Sequence, residues 1–142
     1  IKHFISAFGE HVIGEEVESS MRRVAEEENV QITEFTVAPF VSSDEGKSCH
    51  EWFVEFGTMP RNMKEFAAKL DKSLREKNVY YDDLVAGNIL RPLKITSVRK
   101  NGFIDYMRSI GKLGGQNKVP RLSNDRKIAE ELSIWTEKLE TA

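Results

Sequence analysis

The sequence predicts an α+β fold in which helices pack on a small mixed or antiparallel sheet of about four strands. Stretches rich in β-branched and aromatic residues alternate with stretches whose apolar residues recur at helical spacing. Their order along the chain is β-α-β-β-α-β-α-loop-α, which is close to ferredoxin-like connectivity. The chain has 142 residues, of which 39% are hydrophobic, and this is enough to enclose one core. These observations indicate a single domain, residues 1–142.

The N-terminal half supplies one helix and three strands. Residues 1–6 predict a short strand that enters a turn, and residues 14–28 predict an amphipathic helix. Residues 30–41 are mostly β-branched and aromatic and therefore predict a second strand. A polar connection that contains a glycine leads to a third strand over residues 50–56, which completes a hairpin.

The strand over residues 50–56 alternates in a regular way. Trp52, Val54 and Phe56 would point to one side of the sheet, because successive side chains of a strand face opposite directions. Their neighbours Glu51 and Glu55 would point to the other side together with Phe53. The pattern predicts a strand with one wholly apolar face.

The C-terminal half adds the remaining helices and one strand. Asn62 is a candidate N-cap for a helix whose apolar stripe continues to Leu74. Residues 79–84 predict a short helix or turn. Further elements are a strand over residues 93–99, a short helix over residues 103–110 and a final helix over residues 124–139.

Charge and cysteine content exclude several classes of function. The net charge of −2 gives no electrostatic case for nucleic acid or for an anionic membrane. No apolar run approaches the length of a membrane span, and no signal peptide is visible. The single cysteine, Cys49, excludes an internal disulfide and fits a reducing cytoplasm. His50 adjoins it, but adjacent side chains of a strand face opposite sides, which argues against a catalytic pair.

Metal and nucleotide signatures are also missing. The three histidines are scattered, and no Cys-x-x-Cys or His-x-x-x-His spacing predicts a metal site. Residues 111–118 are rich in glycine and lysine, but no Ser or Thr follows the lysine as a phosphate-binding P-loop requires. We expect no metal ligands in the chain.

The segment 111–121 carries the strongest functional signal. Its glycines free the backbone to approach a ligand closely, and its lysine is a compact cation on a flexible stem. A local group of cations, opposed by Asp125 alone, consists of Lys112, Lys118, Arg121, Arg126 and Lys127. Such a group favours an anionic ligand or an acidic partner surface. Composition alone also fits an ordinary connection between two helices.

Four stretches of the chain together resemble a known family. They are Phe8-Gly9-Glu10-His11-Val12 with the helix that follows, residues 50–56, residues 79–84, and Gln116-Asn117-Lys118-Val119-Pro120-Arg121. The first resembles the turn that opens the C-terminal domain of adenylate-forming enzymes. Together they resemble the C-terminal domain of bacterial members of the Gretchen Hagen auxin-responsive family of acyl-acid amido synthetases. The resemblance extends from Phe4 to about Leu132.

The resemblance implies a two-step ligase that uses ATP with Mg. A carboxylic acid and ATP give an acyl-adenylate and pyrophosphate, and an amine such as an amino acid then attacks the activated carbonyl. The chain would be the lid domain that swings over a large N-terminal domain, its main partner, which binds most of the nucleotide. This agrees with a chain that begins at Ile1 as if in the middle of a longer protein.

The same resemblance implies roles for individual residues. Lys118 would be the catalytic cation, because the lysine of the Gln-x-Lys-x-Pro-Arg stretch reaches the phosphates and the reacting carboxylate in the family. Gln116, Arg121, Gly9 and Glu10 would contact the cofactor. For Arg121 the alternatives are a contact with phosphate and a role in anchoring the loop. Plant members have tyrosine and threonine on the two sides of the lysine, where this chain has Asn117 and Val119, so plant-hormone substrates are not implied.

Two other functions stay open at this point. The chain could be the lid domain of an acyl-CoA ligase of the same superfamily, in which a thiol instead of an amine accepts the acyl group. It could also be a non-catalytic module that binds a small anion or a protein partner.

Overall fold

The structure is a computed structural model that describes residues 4–5, 8–43, 47–112 and 118–137. In chain order its elements are β1 Phe4–Ile5, β2 Val12–Ile13, α1 Gly14–Glu27, β3 Ile32–Phe40, β4 Cys49–Phe56, α2 Met63–Lys77, α3 Val79–Ala86, β5 Lys94–Ser97, α4 Gly102–Ser109 and α5 Lys127–Leu132, followed by a 3-10 turn, Ser133–Trp135. Nine of these elements were expected in nearly these places; β2 was not predicted, and the main difference in length lies at the C-terminal end.

The main sheet has the strand order β3-β4-β5. β3 and β4 form an antiparallel hairpin, whereas β5 lies parallel to β4 after the chain has passed through α2 and α3. This mixed sheet confirms the predicted α+β class. The order α1-β3-β4-α2-β5 follows ferredoxin-like connectivity after its first strand, while β1 and β2 pair with each other in a separate ribbon.

The segment after Lys118 extends the sheet at the free edge of β3. Leu122 forms a parallel bridge with Val37. The amide of Val37 donates to the carbonyl of Arg121, and the amide of Ser123 donates to the carbonyl of Val37, both at 2.9 Å. The functional segment of the sequence is therefore held to the sheet by backbone hydrogen bonds.

Both faces of the sheet are covered, so the strand over residues 50–56 has its predicted apolar face and a second face that is buried as well. The first core lies beneath α1, α2 and α3 and includes Trp52 and Val54. The second core lies against α4 and α5 and includes Phe53, Val119 and Leu132. β4 is the central strand, so its second face is also buried and its glutamates must find partners inside the protein.

Glu51 and Glu55 find those partners in different ways. Glu55 accepts hydrogen bonds from the amides of Asn101 and Phe103, at 2.9 and 3.2 Å, and so caps the start of α4. Glu51 accepts from the hydroxyl of Thr96 and, at 2.7 Å, from Arg126. Alternation of apolar and acidic residues was thus a sign of a strand, but not of a solvated face.

Local sequence signals placed α2 correctly but extended the last helix too far. The side chain of Asn62 accepts from the amide of Glu65 at 3.0 Å, which confirms it as the N-cap of α2. The predicted helix over residues 124–139 is wrong in length, because α5 ends at Leu132. After the 3-10 turn the chain becomes extended, and Thr136 bridges to Val98 beside the end of β5. Pairing with the sheet replaces the last predicted turns of helix.

Candidate functional site

Lys118 lies at the surface, immediately before the segment that pairs with β3. Its side chain is exposed. Within the part of the chain that the structure describes, no carboxylate pairs with it. Its positive charge is therefore available to an anion. The predicted cofactor contact Gln116 lies outside the described residues, as do the other residues of 113–117.

Each of the residues after Lys118 is tethered. Val119 is buried in the second core, and the carbonyl of Pro120 accepts a hydrogen bond of 2.5 Å from the hydroxyl of Thr36. Arg121 pairs with β3 through its backbone, and Leu122 is buried in the first core. The segment thus crosses the edge of β3 from one core to the other, with Lys118 at its N-terminal end.

The guanidinium of Arg121 is engaged by groups of the protein itself. Its Nε donates to Glu18 of α1 at 3.1 Å, and its Nη1 donates to Glu34 of β3 at 2.5 Å and to the carbonyl of Phe35. The guanidinium also lies over the ring of Phe35, 4.1 Å from the ring centroid. Of the two roles left open for Arg121, this geometry supports the anchoring role.

The surroundings of Arg121 carry a net negative charge. A groove of about 540 Å³ runs between α1 and β3 beside it. The charged residues that line the groove are Glu18, Arg22, Glu26, Glu34 and Arg121. Three carboxylates therefore face two guanidinium groups. Such a groove gives an incoming phosphate no electrostatic advantage.

Arg126, a second cation of the group, is also used inside the protein. Its guanidinium donates to the buried carboxylate of Glu51 and, at 3.4 Å, to the carbonyl of Pro39. Lys112, Lys118 and Lys127 remain exposed. The folded domain thus reduces five candidate cations to three lysines at the surface.

The N-terminal turn has a different character. Gly9 is exposed at φ +89°, a left-handed conformation that favours glycine, and it turns the chain so that Glu10 points inward. Glu10 is fully buried. One of its oxygens accepts from the amide of Phe8 at 2.9 Å, and the other lies 2.5 Å from Nε2 of the equally buried His50. Glu10 has no surface left for a ligand in this conformation, so the predicted cofactor contacts of Gly9 and Glu10 stay predictions.

The electrostatics of Glu10 follow from this pairing. Burial alone would raise its pKa, since a charged carboxylate loses its hydration. The hydrogen bond with His50, the backbone amides and the charge of His50 act in the opposite direction, and the net pKa lies below the ordinary value. Glu10 is therefore ionised at neutral pH and holds the turn to β4.

A second buried carboxylate, Asp71, lies close to the Glu10–His50 pair but has its own partners. The hydroxyl of Tyr81 donates to Asp71 at 2.5 Å, and Asp71 also accepts from the amide of Leu93 at 3.1 Å. The rings of Tyr81 and His50 lie 5.0 Å apart. Tyr80, its neighbour, is 62% exposed. The pair of tyrosines therefore packs at the start of α3, with Tyr81 inside and Tyr80 outside.

Cys49 and His50 do not form a catalytic pair. Both are buried, but they are adjacent in β4, so their side chains point to opposite faces of the sheet. The imidazole of His50 is engaged with Glu10. Burial raises the pKa of the Cys49 thiol, which disfavours a nucleophilic thiolate. The sequence-based rejection of this pair agrees with the structure.

Sequence reasoning missed the residues that support the site. Thr36, Glu18 and Glu34 were unremarkable parts of a strand and a solvated helix, yet they hold the segment after Lys118. No spacing rule identifies them, because their partners lie 84 to 103 positions away in the chain. His50 was seen only as a neighbour of Cys49.

The described residues carry neither a metal signature nor a membrane signature. Among them, no group of three or more histidine, cysteine, aspartate or glutamate side chains is arranged to hold a metal ion. No described helix has the length and apolar character needed to cross a bilayer.

Comparison with known proteins gives a consistent result. Residues 15–127 match the model of the GH3 family C-terminal domain. A solved structure of GH3.15 acyl acid amido synthetase superposes with a TM-score of 0.75 at 17% identity, covering 96% of this chain and 25% of that one. A structure of AtGH3.15 acyl acid amido synthetase in complex with 2,4-DB gives a TM-score of 0.70 at 16% identity, covering 95% and 26%. No curated protein sequence matches.

The matches cover different shares of the proteins compared. The chain spans about a quarter of the length of the two solved structures, and at such low identity the superposition shows a shared fold. The family model, by contrast, covers well over half of the chain. The chain therefore belongs to the GH3 family, and the part of the family that it represents is the C-terminal domain.

Proposed function

We propose that this chain is the mobile C-terminal domain of an ATP-dependent ligase that joins a carboxylic acid to an amine. In the first step a carboxylate oxygen attacks the α-phosphorus of ATP, which forms the acyl-adenylate and releases pyrophosphate. In the second step the amine attacks the acyl carbon and AMP leaves, so that an amide and one proton result. The nucleotide-binding part of the site lies in an N-terminal domain of the same protein, which is the main partner of this chain.

The observation that carries this proposal is the exposed Lys118 at the end of a tethered segment. The first step brings a carboxylate against a triphosphate, and negative charge accumulates on the reacting oxygens. A lysine ammonium about 4 Å from such an oxygen stabilises it by about 4 kcal/mol at an effective dielectric constant of about 20. This corresponds to about a thousandfold in rate. We assign this role to Lys118.

ATP fits this chain at Lys118 better than at Arg121 or Glu10. Lys118 offers an exposed cation, whereas Arg121 is already paired with two carboxylates and Glu10 is buried against His50. Magnesium, when bound with ATP, neutralises phosphate charge. Since the described residues hold no cluster of metal ligands, we assign its coordination to the N-terminal domain.

An amine is favoured as the acyl acceptor over the thiol of coenzyme A. Both solved structures named above are called acyl acid amido synthetases, and the chain matches the model of the same family. We also propose a cytoplasmic location, because the single cysteine is a free thiol.

The test is Lys118→Ala in the full-length protein. We expect the rate of adenylate formation to fall about a thousandfold, because the only charge removed is the one that stabilises the reacting oxygens. Pyrophosphate exchange with a panel of carboxylic acids measures this step directly. Lys112→Ala is the matched control, since it removes an exposed lysine from the other end of the same connection and should leave exchange nearly unchanged.

Either of two results would refute the assignment. One is a Lys118→Ala protein that exchanges pyrophosphate at the wild-type rate, and the other is an equal loss in the Lys112→Ala control. The full-length protein is needed because we expect no ligase activity from the 142-residue chain alone, which holds only one side of the site.

A further inference from the structure

We propose that Arg121, Glu34 and Thr36 form a clamp that positions Lys118 for adenylation, and that Arg121 acts through this clamp and not by contact with phosphate. This inference rests on the proposed function, since it concerns how the catalytic lysine is held. It assigns positioning roles to Glu34 and Thr36, to which no sequence signal pointed.

The segment that follows Lys118 is attached to the sheet at several points. The segment is fixed at three successive points: by burial of Val119, by the bond from Thr36 to the carbonyl of Pro120, and by the backbone pairing of Arg121 with Val37. Thr36 itself is 1% exposed and belongs to a strand of the main sheet. Lys118 is thus separated by one residue from groups anchored in a rigid element, which fixes its backbone far better than a free loop would.

The guanidinium of Arg121 is already engaged by groups of the protein itself. It satisfies Glu18, Glu34 and the Phe35 carbonyl and covers the Phe35 ring in the same conformation. A planar guanidinium can bond in several directions and stack at once, whereas a lysine ammonium cannot. This residue type is therefore matched to a socket made by α1 and β3.

The charge around Arg121 is unfavourable for a phosphate. Glu18 and Glu34 both contact Arg121, so the cluster as a whole is negative. A phosphate approaching Arg121 would meet two carboxylates at hydrogen-bonding distance from the same group. A phosphate ligand would bind more favourably to a cation that has no carboxylate partners. The exposed Lys118 is such a cation among the described residues.

The two possible roles of Arg121 lead to opposite expectations for Glu34→Gln. If Arg121 binds phosphate, removing a neighbouring negative charge should lower the KM for ATP and leave kcat intact. If Arg121 is part of a clamp, the same change weakens the hold on the segment. The kcat for adenylation should then fall about tenfold to a hundredfold, with little change in the KM for ATP, because a misplaced catalytic group costs rate instead of binding.

The experiment compares Glu34→Gln, Thr36→Val, Arg121→Lys and Arg121→Gln in the full-length protein. Adenylation is followed by pyrophosphate exchange, and amide hydrogen exchange is followed by mass spectrometry on peptides that contain Val37 and Ser123. We expect all four variants to lower kcat and to accelerate exchange at these amides. Arg121→Lys should not rescue, because it keeps the charge and loses the fork.

The matched control is Arg75→Gln. Arg75 pairs with Asp82 at 2.5 Å, so this variant also breaks an arginine–carboxylate pair, but one between α2 and α3 that shares no residue with the clamp. It should change neither kcat nor exchange at Val37 and Ser123. A control that behaves like the clamp variants would reduce the effect to general destabilisation and overturn the proposal.

Two further results would overturn it. One is unchanged amide exchange in Arg121→Gln, which would show that the guanidinium does not hold the segment. The other is a raised KM for ATP in both Arg121 variants together with an unimpaired Glu34→Gln protein, which would make Arg121 a phosphate ligand. If instead Lys118→Ala were fully active, the proposed function would fail and the positioning role with it, while amide exchange would still decide whether the clamp exists.

Discussion

The N-terminal turn and the segment after residue 117 differ in where they put their charges. In the turn, Glu10 is fully buried and paired with His50. In the C-terminal segment, Lys118 is exposed and it is the neighbouring Arg121 that is paired. The family resemblance gave both segments a contact with the cofactor. The structure gives the first a stabilising role and leaves the second with an available cation.

This difference shows that charged residues of two segments with the same predicted role can differ in what they do. Glu10 fixes where the chain enters the domain, since it joins the turn to the central strand β4. Lys118 has no such function, because its side chain is exposed and forms no ion pair with the residues that the structure describes. Substitution at the two positions should therefore separate stability from activity.

The sharpest test of this separation is Glu10→Ala. Removing Glu10 leaves Nε2 of the buried His50 without its hydrogen-bond partner, and breaking a buried pair in this way costs about 3–5 kcal/mol in the free energy of unfolding. Lys118→Ala should change that free energy by less than about 0.5 kcal/mol, as is usual for exposed positions. Urea unfolding followed by tryptophan fluorescence measures both, since Trp52 is fully buried.

Glu26→Ala serves as the control for loss of a glutamate, because Glu26 is exposed on α1. It should leave the unfolding midpoint nearly unchanged. Equal stability of the Glu10→Ala and Glu26→Ala proteins would contradict the stabilising role of Glu10, and a large loss in Lys118→Ala would remove the contrast between the two segments.

The fold was largely predictable because its signals are local. Helical spacing and the N-cap Asn62 placed α2, and β-branched residues placed β3. The end of the last helix was not predictable in this way, because Thr136 leaves the helix to pair beside β5, more than thirty positions earlier in the chain. Long-range pairing overrides local propensity there.

The candidate site was predictable only at its exposed end. Lys118 could be found because a lysine in a glycine-rich segment of known resemblance is a visible pattern. Glu34 and Thr36 could not, since their importance depends on which residues the edge of β3 meets in space. Glu51 and Glu55 show the same limit: their alternation with apolar residues predicts a strand, and only the packing of α4 and α5 shows that their side of the sheet is also covered.

A smaller effect is expected at Tyr81, whose ring packs against that of His50, the partner of Glu10. Tyr81→Phe removes the hydroxyl that donates to Asp71 and leaves this buried carboxylate with the amide of Leu93. The loss should be about 1–3 kcal/mol in the free energy of unfolding, the cost of an unmet buried hydrogen bond. Urea unfolding measures it.

The adjacent Tyr80 provides a matched control, because Tyr80→Phe removes the same atom from an exposed ring. We expect a change of less than about 0.5 kcal/mol. Equal effects of the two substitutions would contradict the view that burial, and not residue type, decides the role of this pair.

The smallest effect concerns pH and again separates the buried acid from the exposed cation. In the folded chain the pKa of Glu10 lies below its ordinary value of 4.5. Burial raises this pKa, but His50 and the backbone amides together lower it by more than burial raises it. Ionised Glu10 therefore contributes stability above the unfolded-state pKa, and this contribution is lost as the pH falls through the folded-state pKa. Each unit of difference between the two pKa values corresponds to about 1.4 kcal/mol. Wild type should thus exceed Glu10→Gln in unfolding free energy near neutral pH, and the excess should shrink in strong acid. Urea unfolding of both proteins across this range measures the difference, in which the acidic groups common to both cancel. An excess that stays constant or grows as the pH falls would show that Glu10 is not held ionised by His50.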